Sequence, residues 1–448
     1  MSSPVNGPAP STLAWDQRAV WHPYTQMYSA PPPLAIARGE GAWLIAEDGR
    51  RYLDAIASWW VTLHGHAEPA IVDAIARQAR ELEQVIFAGC THRPAAELAA
   101  RLTEILPAGL SRVFYSDNGS TAVEVALKMA LQYWRLRREP ARTRFLALEH
   151  AYHGDTVAAM SVSAPSYFTA DFQPLLFPVL RAPAAWCYRC PVGLSRAACE
   201  IDCLQPMETL LAAQAGQIAA VIVEPLLQGA GGMIVHPREF LAGVRRLCDQ
   251  YGVLLIADEV LTGFGRTGAM FACELAGITP DIICLSKGLT GGFLPLSATV
   301  TTEAVYQAFL SPRPEHAFFH GHSFTANPLG CAAALASLQI FAEKPVLRRV
   351  GQIEAIHQER LQALRAHPRV GDTRQIGVVA AVELRQDYDY LAACGPRLRQ
   401  FYLDHGVLLR PLGNVIYVLP PYRITDAELH QVWDVIALSL DSPAVWNA

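Results

Sequence analysis

Asp258 and Lys287 each follow an apolar run that has the pattern of a buried strand. Residues 253–257 lead into Asp258, and residues 281–285 lead into Ser286 and Lys287. Open α/β sheets place their ligands beyond the carboxyl ends of the strands, so both side chains are expected at one edge. A lysine amine condenses with an aldehyde and a carboxylate keeps a pyridine nitrogen protonated, which suits a site for pyridoxal phosphate. Taken singly, such a lysine is usually a solvated strand end and such an aspartate a helix cap.

A turn between a short strand at residues 113–115 and a helix that begins near Ser120 carries a candidate phosphate site. It spans residues 117–121 and reads Asp-Asn-Gly-Ser-Thr. Gly119 lets the backbone approach a ligand closely, and free amides at a helix start bind phosphate together with the Ser120 hydroxyl. The same residues also favour an ordinary N-cap turn, so the motif gains weight only beside the two charged residues above.

Two further residues of interest follow predicted strands. Tyr152 comes after the strand predicted at residues 144–148, where its ring could stack on a flat cofactor or simply pack in the core. Gln228 follows the strand predicted at residues 219–224 and could reach the phenolic oxygen of the cofactor. The glycines after Gln228 otherwise form a flexible turn.

The elements that would position these residues alternate along the chain. From about residue 67, helical segments alternate with short apolar runs, which indicates an α/β domain with a mostly parallel central sheet. A hairpin is predicted earlier, from residues 42–46 and 51–54 around a Glu-Asp-Gly turn. After Pro328 the pattern favours a smaller α+β domain. The predicted division is an N-terminal segment over residues 1–60, a large cofactor-binding domain over 61–332 and a small C-terminal domain over 333–448.

Composition limits the partners that the chain can have. The 448 residues are 52% hydrophobic and 17% charged, with a net charge of −5, which is typical of a large, well-buried enzyme. Neither nucleic acid nor an anionic membrane surface is an expected partner. The first six residues have no basic stretch followed by an apolar core, and the apolar runs are too short to span a bilayer. A cytoplasmic location is therefore expected.

Four of the ten cysteines, Cys187, Cys190, Cys199 and Cys203, cluster in the sequence as two close pairs. Thiolates at such a spacing can ligate one tetrahedral zinc ion. The alternative is reduced thiols in a surface insertion, and the spacing alone leaves both open.

Three motifs resemble those of the class III pyridoxal-phosphate aminotransferases. They are residues 258–260, 262–268 and 286–292, which read Asp-Glu-Val, Thr-Gly-Phe-Gly-Arg-Thr-Gly and Ser-Lys-Gly-Leu-Thr-Gly-Gly. The resemblance runs from about Trp21 to the C-terminus. It implies pyridoxal 5'-phosphate as the cofactor, the type I aminotransferase fold, and a homodimer whose active sites are built from both subunits.

Within that family, four segments resemble the members that act in biotin biosynthesis. These segments are residues 21–25, 58–60, 152–156 and 409–414. The resemblance implies that the chain transfers an amino group to 8-amino-7-oxononanoate and forms 7,8-diaminononanoate. The usual amino donor in that group is S-adenosylmethionine.

The resemblance also implies a role for individual residues. Lys287 is expected to form the Schiff base and to carry protons, and Asp258 to pair with the pyridine nitrogen. The other residues expected around the cofactor are Gly119, Ser120, Tyr152, Gln228, Val260 and Ser323 of the partner subunit. The residues expected around the substrate are Tyr24, Trp59, Trp60, Asp155, Gly321 and Arg410.

An apolar wall that ends in a fixed cation suits a long keto acid, because arginine binds a carboxylate bidentately. Arg410 is the expected cation and the Trp59-Trp60 pair part of the wall. On ordinary base rates a tryptophan pair is more often core and an arginine more often a surface charge.

The donor and the reaction both have alternatives. Residues 321–323 read Gly-His-Ser, where adenosylmethionine-using members usually carry Gly-Pro-Thr, and this resembles a subgroup that takes lysine as donor. The Trp59-Trp60 pair favours S-adenosylmethionine. An ω-aminotransferase acting on other amines and a non-catalytic protein that binds pyridoxal phosphate are the rival functions. The tryptophan pair with Arg410 argues against the first, and Lys287 with Asp258 against the second.

Overall fold

The structure is a computed structural model that describes residues 11–386 and 389–446. The first six residues, in which no secretory signal is expected, lie outside the described residues. The strands are β1 Ile36–Glu40, β2 Trp43–Ala46, β3 Arg51–Asp54, β4 Leu110–Ser116, β5 Arg144–Leu148, β6 Leu180–Ala182, β7 Ile218–Val223, β8 Leu227–Gln228, β9 Ile234–Val235, β10 Leu254–Asp258, β11 Ile282–Leu285, β12 Ser297–Thr302, β13 Val370–Ile376, β14 Val379–Leu384, β15 Val407–Leu408 and β16 Val415–Val418.

The α-helices are α1 Thr12–Ala19, α2 Ala57–Trp60, α3 Pro69–Glu81, α4 Arg93–Ile105, α5 Gly119–Leu136, α6 Val157–Val162, α7 Gln205–Gln214, α8 Arg238–Tyr251, α9 Ala272–Leu275, α10 Glu303–Phe309, α11 Pro328–Glu343, α12 Val346–Leu364, α13 Cys394–Asp404, α14 Asp426–Asp441 and α15 Pro443–Trp446. Short 3₁₀ turns connect several of them. Across the two described ranges, no helix combines the length and the apolar character that crossing a membrane requires.

Seven strands form the central sheet in the order β4-β12-β11-β10-β7-β5-β6. Neighbouring strands are parallel except for β12, which runs antiparallel to both β4 and β11. Every residue of β7, β10 and β11 is buried, which explains their nearly continuous apolar sequences. The predicted α/β architecture with a mostly parallel sheet is confirmed. The sequence did not reveal β12, because Ser-Ala-Thr-Val-Thr-Thr is poor in large apolar residues.

Helix α5 packs on one face of this sheet, against β11, β12 and β7. The helix begins at Gly119 because Asn118 caps it. The Asn118 side chain accepts the N–H of Thr121 at 3.1 Å, and the Thr121 hydroxyl accepts the N–H of Asn118 at 3.0 Å. This reciprocal cap fixes the helix start at the carboxyl end of β4.

The other strands form smaller sheets, one of which joins distant parts of the chain. The sheet β1-β2-β3-β15 contains the predicted hairpin, and Val407 of β15 pairs in parallel with Leu53 of β3. The antiparallel sheet β13-β14-β16 packs against α12, which in turn packs against α14. N-terminal strands thus fold together with C-terminal ones. The domain bounds given above stay a prediction.

Candidate active site

A cavity of about 800 Å³ lies at the carboxyl ends of the central strands. The last residue of β10, Asp258, contributes to its wall, and so do the segments that follow four other strands, through Ser120, Tyr152, Glu224 and Lys287. Parallel strands end at the same edge of a sheet, so residues far apart in the sequence meet there. The structure therefore brings Asp258 and Lys287 together, as their position after two apolar runs predicted.

Lys287 begins the 3₁₀ turn after β11 and faces the cavity half-buried. Its Nζ lies 5.2 Å from the centre of the Trp60 ring. Withdrawal from water lowers the pKa of Lys287, while the negative charges of Asp258 and Glu224 act in the opposite direction. Its φ is 41°, in the left-handed region that a lysine rarely adopts. Backbone strain at a residue whose amine is perturbed is typical of a functional position.

Asp258 ends β10 and is 4% exposed. One carboxylate oxygen lies 2.7 Å from Nδ1 of the buried His153, and the other accepts the N–H of Val260 at 3.1 Å. Nε2 of His153 is also buried and has no hydrogen-bond partner among the described residues. The carboxylate is thus held in one orientation at the cavity wall.

The helix start of α5 offers amide donors to the cavity. The amides of Thr121 and Ala122 donate to Asn118, whereas those of Gly119 and Ser120 have no acceptor within the described ranges. A Cβ atom at Gly119 would lie 2.6 Å from Cγ1 of Val260, so only glycine fits there. Free amides at the start of a helix are donors of the kind that bind anions, so the geometry is compatible with the phosphate site that the sequence motif predicts.

An aromatic and acidic wall faces the mouth of the cavity. The Tyr24 hydroxyl donates to the Asp155 carboxylate at 2.5 Å and lies 3.5 Å from the Tyr152 hydroxyl. Burial and this hydrogen bond raise the pKa of Tyr24 to about 12, and burial also raises the pKa of Tyr152. The Tyr24 ring packs edge-on against Trp59 and Phe168. Both tyrosines are therefore neutral hydrogen-bonding groups around neutral pH.

Arg410 lines the same cavity with its guanidinium 4.6 Å from the centre of the Trp59 ring. In the part of the chain that the structure describes, no carboxylate pairs with it. Burial and the nearby charge of Arg410 lower the pKa of Arg399, an arginine of α13 that does not line the cavity. An unpaired guanidinium on an aromatic wall is suited to binding a carboxylate ligand.

Three residues predicted for the site do not line this cavity. Gln228 is fully buried, and its amide donates to the carbonyl of Glu149 at 3.0 Å. Gly321 and Ser323 are exposed at the surface of the same chain, and the Ser323 carbonyl accepts from Gln84. Neither Gly321 nor Ser323 lines the cavity of its own chain.

Several cavity residues were not found from the sequence. Glu224 follows β7 as Asp258 ends β10, so its place at a strand end was a usable signal. Phe168 and Tyr390 come from loops without a pattern, and their rings meet only in three dimensions, with centres 4.6 Å apart. Tyr417, in β16, reaches the cavity through its contact with Trp60, whose ring N–H it accepts at 3.0 Å.

The residues present fit pyridoxal phosphate. The unpaired amides of Gly119 and Ser120 match its phosphate, and the Asp258 carboxylate matches its ring nitrogen. Val260 offers an apolar surface in the same cavity, and the Lys287 amine can react with an aldehyde.

The four clustered cysteines line a separate small cavity of about 10 Å³. All ten cysteines of the chain are free thiols. Within the ranges that the structure covers, no three histidine, cysteine or acidic side chains are arranged to hold a metal ion. Zinc at these cysteines stays a hypothesis from spacing alone.

A lysine amine, a fixed carboxylate and a helix start with free amides, gathered at one edge of a mostly parallel sheet, define a pyridoxal-phosphate-dependent enzyme of fold type I. The family described as Aminotransferase class-III matches residues 24–440. The chain belongs to the class III aminotransferase family and is a pyridoxal-phosphate-dependent transaminase.

Its relatives include two proteins named adenosylmethionine-8-amino-7-oxononanoate aminotransferase. The one from Geobacter sulfurreducens is 50% identical and covers 95% of this chain and 96% of its own length. The one from Synechococcus elongatus is 53% identical, with 94% and 98% covered. A crystal structure of the Methanocaldococcus jannaschii enzyme of the same name is 40% identical, with a TM-score of 0.88 over 94% of this chain and 98% of that one.

A second group of solved structures consists of ω-transaminases. The enzyme from Pseudomonas jessenii in complex with PMP is 31% identical, with a TM-score of 0.91 over 98% of this chain and 99% of that one. The same fold thus occurs in transaminases of different names, so the substrate has to be argued from the cavity residues.

Proposed function

We propose that the chain transfers an amino group from S-adenosylmethionine to 8-amino-7-oxononanoate, forming 7,8-diaminononanoate in biotin biosynthesis. The observation that carries this proposal is the unpaired Arg410 on the aromatic wall of the cavity. A long keto acid needs an apolar wall and one cation for its distant carboxylate. The names of the relatives that are 50% and 53% identical support the same substrates.

We propose the following roles for the chain's own residues. When bound, pyridoxal phosphate supplies an aldehyde and a ring that withdraws electrons from the substrate carbon. The Gly119 and Ser120 amides hold its phosphate, and Asp258, oriented by His153, keeps its ring nitrogen protonated. Val260 and Tyr152 pack against the two faces of the cofactor ring, and the buried Gln228 supports the wall of the cavity.

Lys287 is the residue that moves protons. A neutral amine accepts a proton, and the lowered pKa of Lys287 enlarges its neutral fraction. In the first half-reaction Lys287 takes the proton from the donor carbon that bears the amino group. In the second it returns a proton to the acceptor carbon. Because donor and acceptor use one cavity in turn, ping-pong kinetics are expected.

The substrate end of the cavity orients the two reactants. Tyr24 and Asp155, joined by their 2.5 Å hydrogen bond, meet the amino groups of the substrates near the mouth. Trp59 and Trp60 form the apolar wall, and Arg410 fixes the keto-acid carboxylate. We assign Gly321 and Ser323 of the partner subunit to the same site, which their exposed positions allow.

Amino-donor profiling tests the proposal. Purified enzyme is given 8-amino-7-oxononanoate with S-adenosylmethionine, with lysine, or with a simple primary amine, and 7,8-diaminononanoate is measured. Product with S-adenosylmethionine alone is the expected result. Product with lysine alone would move the assignment to that donor. Transfer from the simple amine to a second acceptor such as pyruvate, without product from 8-amino-7-oxononanoate, would make the chain an ω-aminotransferase.

We propose a homodimer in the cytoplasm. Several large apolar side chains are exposed in the N-terminal segment, close to Gly321 in the sequence, and two residues after Gln84, whose side chain donates to Ser323: Trp21, Tyr28, Phe319, Phe324 and Ile86. Exposed apolar groups of this number mark an interaction surface, and a second copy would cover them. The free thiols of all ten cysteines agree with a reducing compartment.

A further inference from the structure

Glu224 is a carboxylate that none of the roles above uses. It follows β7, is 6% exposed and lines the cavity. We propose that Glu224 is a positioning residue that fixes the backbone beneath the Tyr152 ring and supplies a second negative charge beside Lys287. The inference rests on the proposed role of Lys287, but on no particular amino donor or acceptor.

The positioning part rests on two hydrogen bonds. One oxygen of Glu224 accepts the N–H of Tyr152 at 2.9 Å, and the other accepts the N–H of Gly229 at 3.1 Å. Tyr152 belongs to the segment after β5 and Gly229 to the turn after β8, so one side chain joins two walls of the cavity. Hydrogen bonds from amides to a carboxylate are stronger than neutral ones, and each N–H would otherwise be left without an acceptor.

Close packing makes this wall sensitive to movement. A Cβ atom at Gly229 would lie 2.4 Å from Leu261 and 3.3 Å from the Trp60 ring. The turn therefore presses directly on two residues that line the cavity. If the Glu224 carboxylate is lost, both the Tyr152 ring and this turn lose their anchor.

The charge part rests on the groups that face Glu224. They are His153 after β5, Asp258 at the end of β10 and Lys287 after β11, and all three line the same cavity as Glu224. Burial raises the pKa of Glu224 to about 7, with His153 acting against the rise and Asp258 with it. When ionised, Glu224 raises the pKa of Lys287, whereas Arg266 lowers it. Removing the charge of Glu224 should therefore lower the pKa of Lys287.

The sequence makes this amine easy to follow, because Lys128, Lys287 and Lys344 are its only lysines. Lys128 and Lys344 are exposed and serve as internal references. The chain freed of cofactor is labelled with trace acetic anhydride from pH 6 to 11, and each lysine peptide is quantified by mass spectrometry. In Glu224→Gln the labelling midpoint of Lys287 should move about one pH unit downward, with the reference lysines unchanged.

The affinity for pyridoxal phosphate gives a second readout. A glutamine side chain has one oxygen that can accept a hydrogen bond, and its NH₂ group would face the second backbone N–H without accepting from it. Glu224→Gln should therefore weaken the binding of pyridoxal phosphate about tenfold or more. Glu224→Asp keeps the charge but is one methylene too short to reach both amides. It should restore the Lys287 midpoint and leave the affinity weak.

Glu259→Gln is the matched control. Glu259 is fully buried and accepts the amides of Ala272 and Cys273 through its two oxygens, but it does not line the cavity. This variant should lose thermal stability and keep both the Lys287 midpoint and the cofactor affinity. If Glu224→Gln does not fold, the cofactor affinity of Glu224→Asp still tests the positioning role.

A folded Glu224→Gln with the wild-type midpoint and affinity would overturn the proposal, and so would a Glu224→Asp with wild-type affinity. Neither measurement uses an amino donor or acceptor. A wrong substrate assignment therefore leaves both results unchanged, and failure of this inference is distinguishable from failure of the proposed reaction.

Discussion

At the scale of single residues, Lys287 combines a left-handed backbone, a lowered pKa and a place on the cavity wall. Replacing it with alanine should reduce kcat by about 10³-fold or more, because general acid–base catalysis and the reacting amine are lost together. Lys344→Ala is the control, since Lys344 pairs with Glu68 near the surface and does not line the cavity. Single-turnover transfer from the amino donor measures the effect, and activity retained by Lys287→Ala would refute the assignment.

Arg410 gives a prediction about binding rather than chemistry. Arg410→Met keeps part of the packing on Trp59 but removes the cation, so the KM for the keto acid should rise roughly 30-fold, or about 2 kcal/mol. The kcat at saturation should change much less. Arg38→Met, at an exposed pair with Glu40, is the control. Equal loss of kcat and kcat/KM would instead place Arg410 in the transition state.

At the scale of elements, the turn from β4 into α5 carries the anion site. Gly119→Ala would force its new methyl group to within 2.6 Å of Val260, so either the helix start or Val260 must shift. Affinity for pyridoxal phosphate should fall about tenfold, while the secondary structure is retained. Gly216→Ala, where a Cβ atom meets open space, should bind normally in the same fluorescence titration. Unchanged binding in Gly119→Ala would contradict the phosphate role of this turn.

The sequence predicted elements well where one local signal decides the structure. Strand β5 was predicted to the residue, and the helix expected from Ser120 begins at Gly119, because the apolar run and the Asn118 cap are local. Strand β12 was missed because its burial comes from neighbours on both sides rather than from apolar side chains of its own. The positions of Asp258 and Lys287 after two apolar runs predicted that both lie at one edge of the sheet. The contact between Phe168 and Tyr390, by contrast, depends on the tertiary fold alone.

At the scale of the whole molecule, buried histidines predict acid sensitivity. Burial lowers the pKa of His64 to about 3 and the pKa values of His236 and His357 to about 4. Their unfolded forms titrate near 6.5, so the unfolded chain binds more protons below that pH. Stability from these residues is present above about pH 6.5 and is lost as the pH falls towards 4, by up to roughly 3 kcal/mol for each.

A variant separates the effect of the histidines from that of other titrating groups. Glu224 is one such group, because its raised pKa increases the stability of the fold as the pH falls from about 7 to 4.5. His357 donates to the Val378 carbonyl and accepts from the Trp433 ring N–H, and glutamine can do both without a charge. The fall in thermal midpoint from pH 7 to pH 5 should be smaller in His357→Gln than in the wild type. His367→Gln, at a surface pair with Asp441, should match the wild type, and an equal fall in all three would exclude His357 as a cause.

Assembly is the last property at this scale. Phe319 is 76% exposed and lies two residues before Gly321, so a subunit interface there would bury it together with the segment that we assign to the partner's cavity. Phe319→Glu places a charge in that interface and should shift sedimentation from dimer towards monomer. Dissociation of the dimer would also remove Ser323 from the cavity of the partner subunit. The affinity for pyridoxal phosphate should therefore fall together with the dimer fraction. Leu438→Glu, at an equally apolar exposed position on α14, should change neither quantity. A Phe319→Glu protein that remains dimeric with full cofactor affinity would place the interface elsewhere.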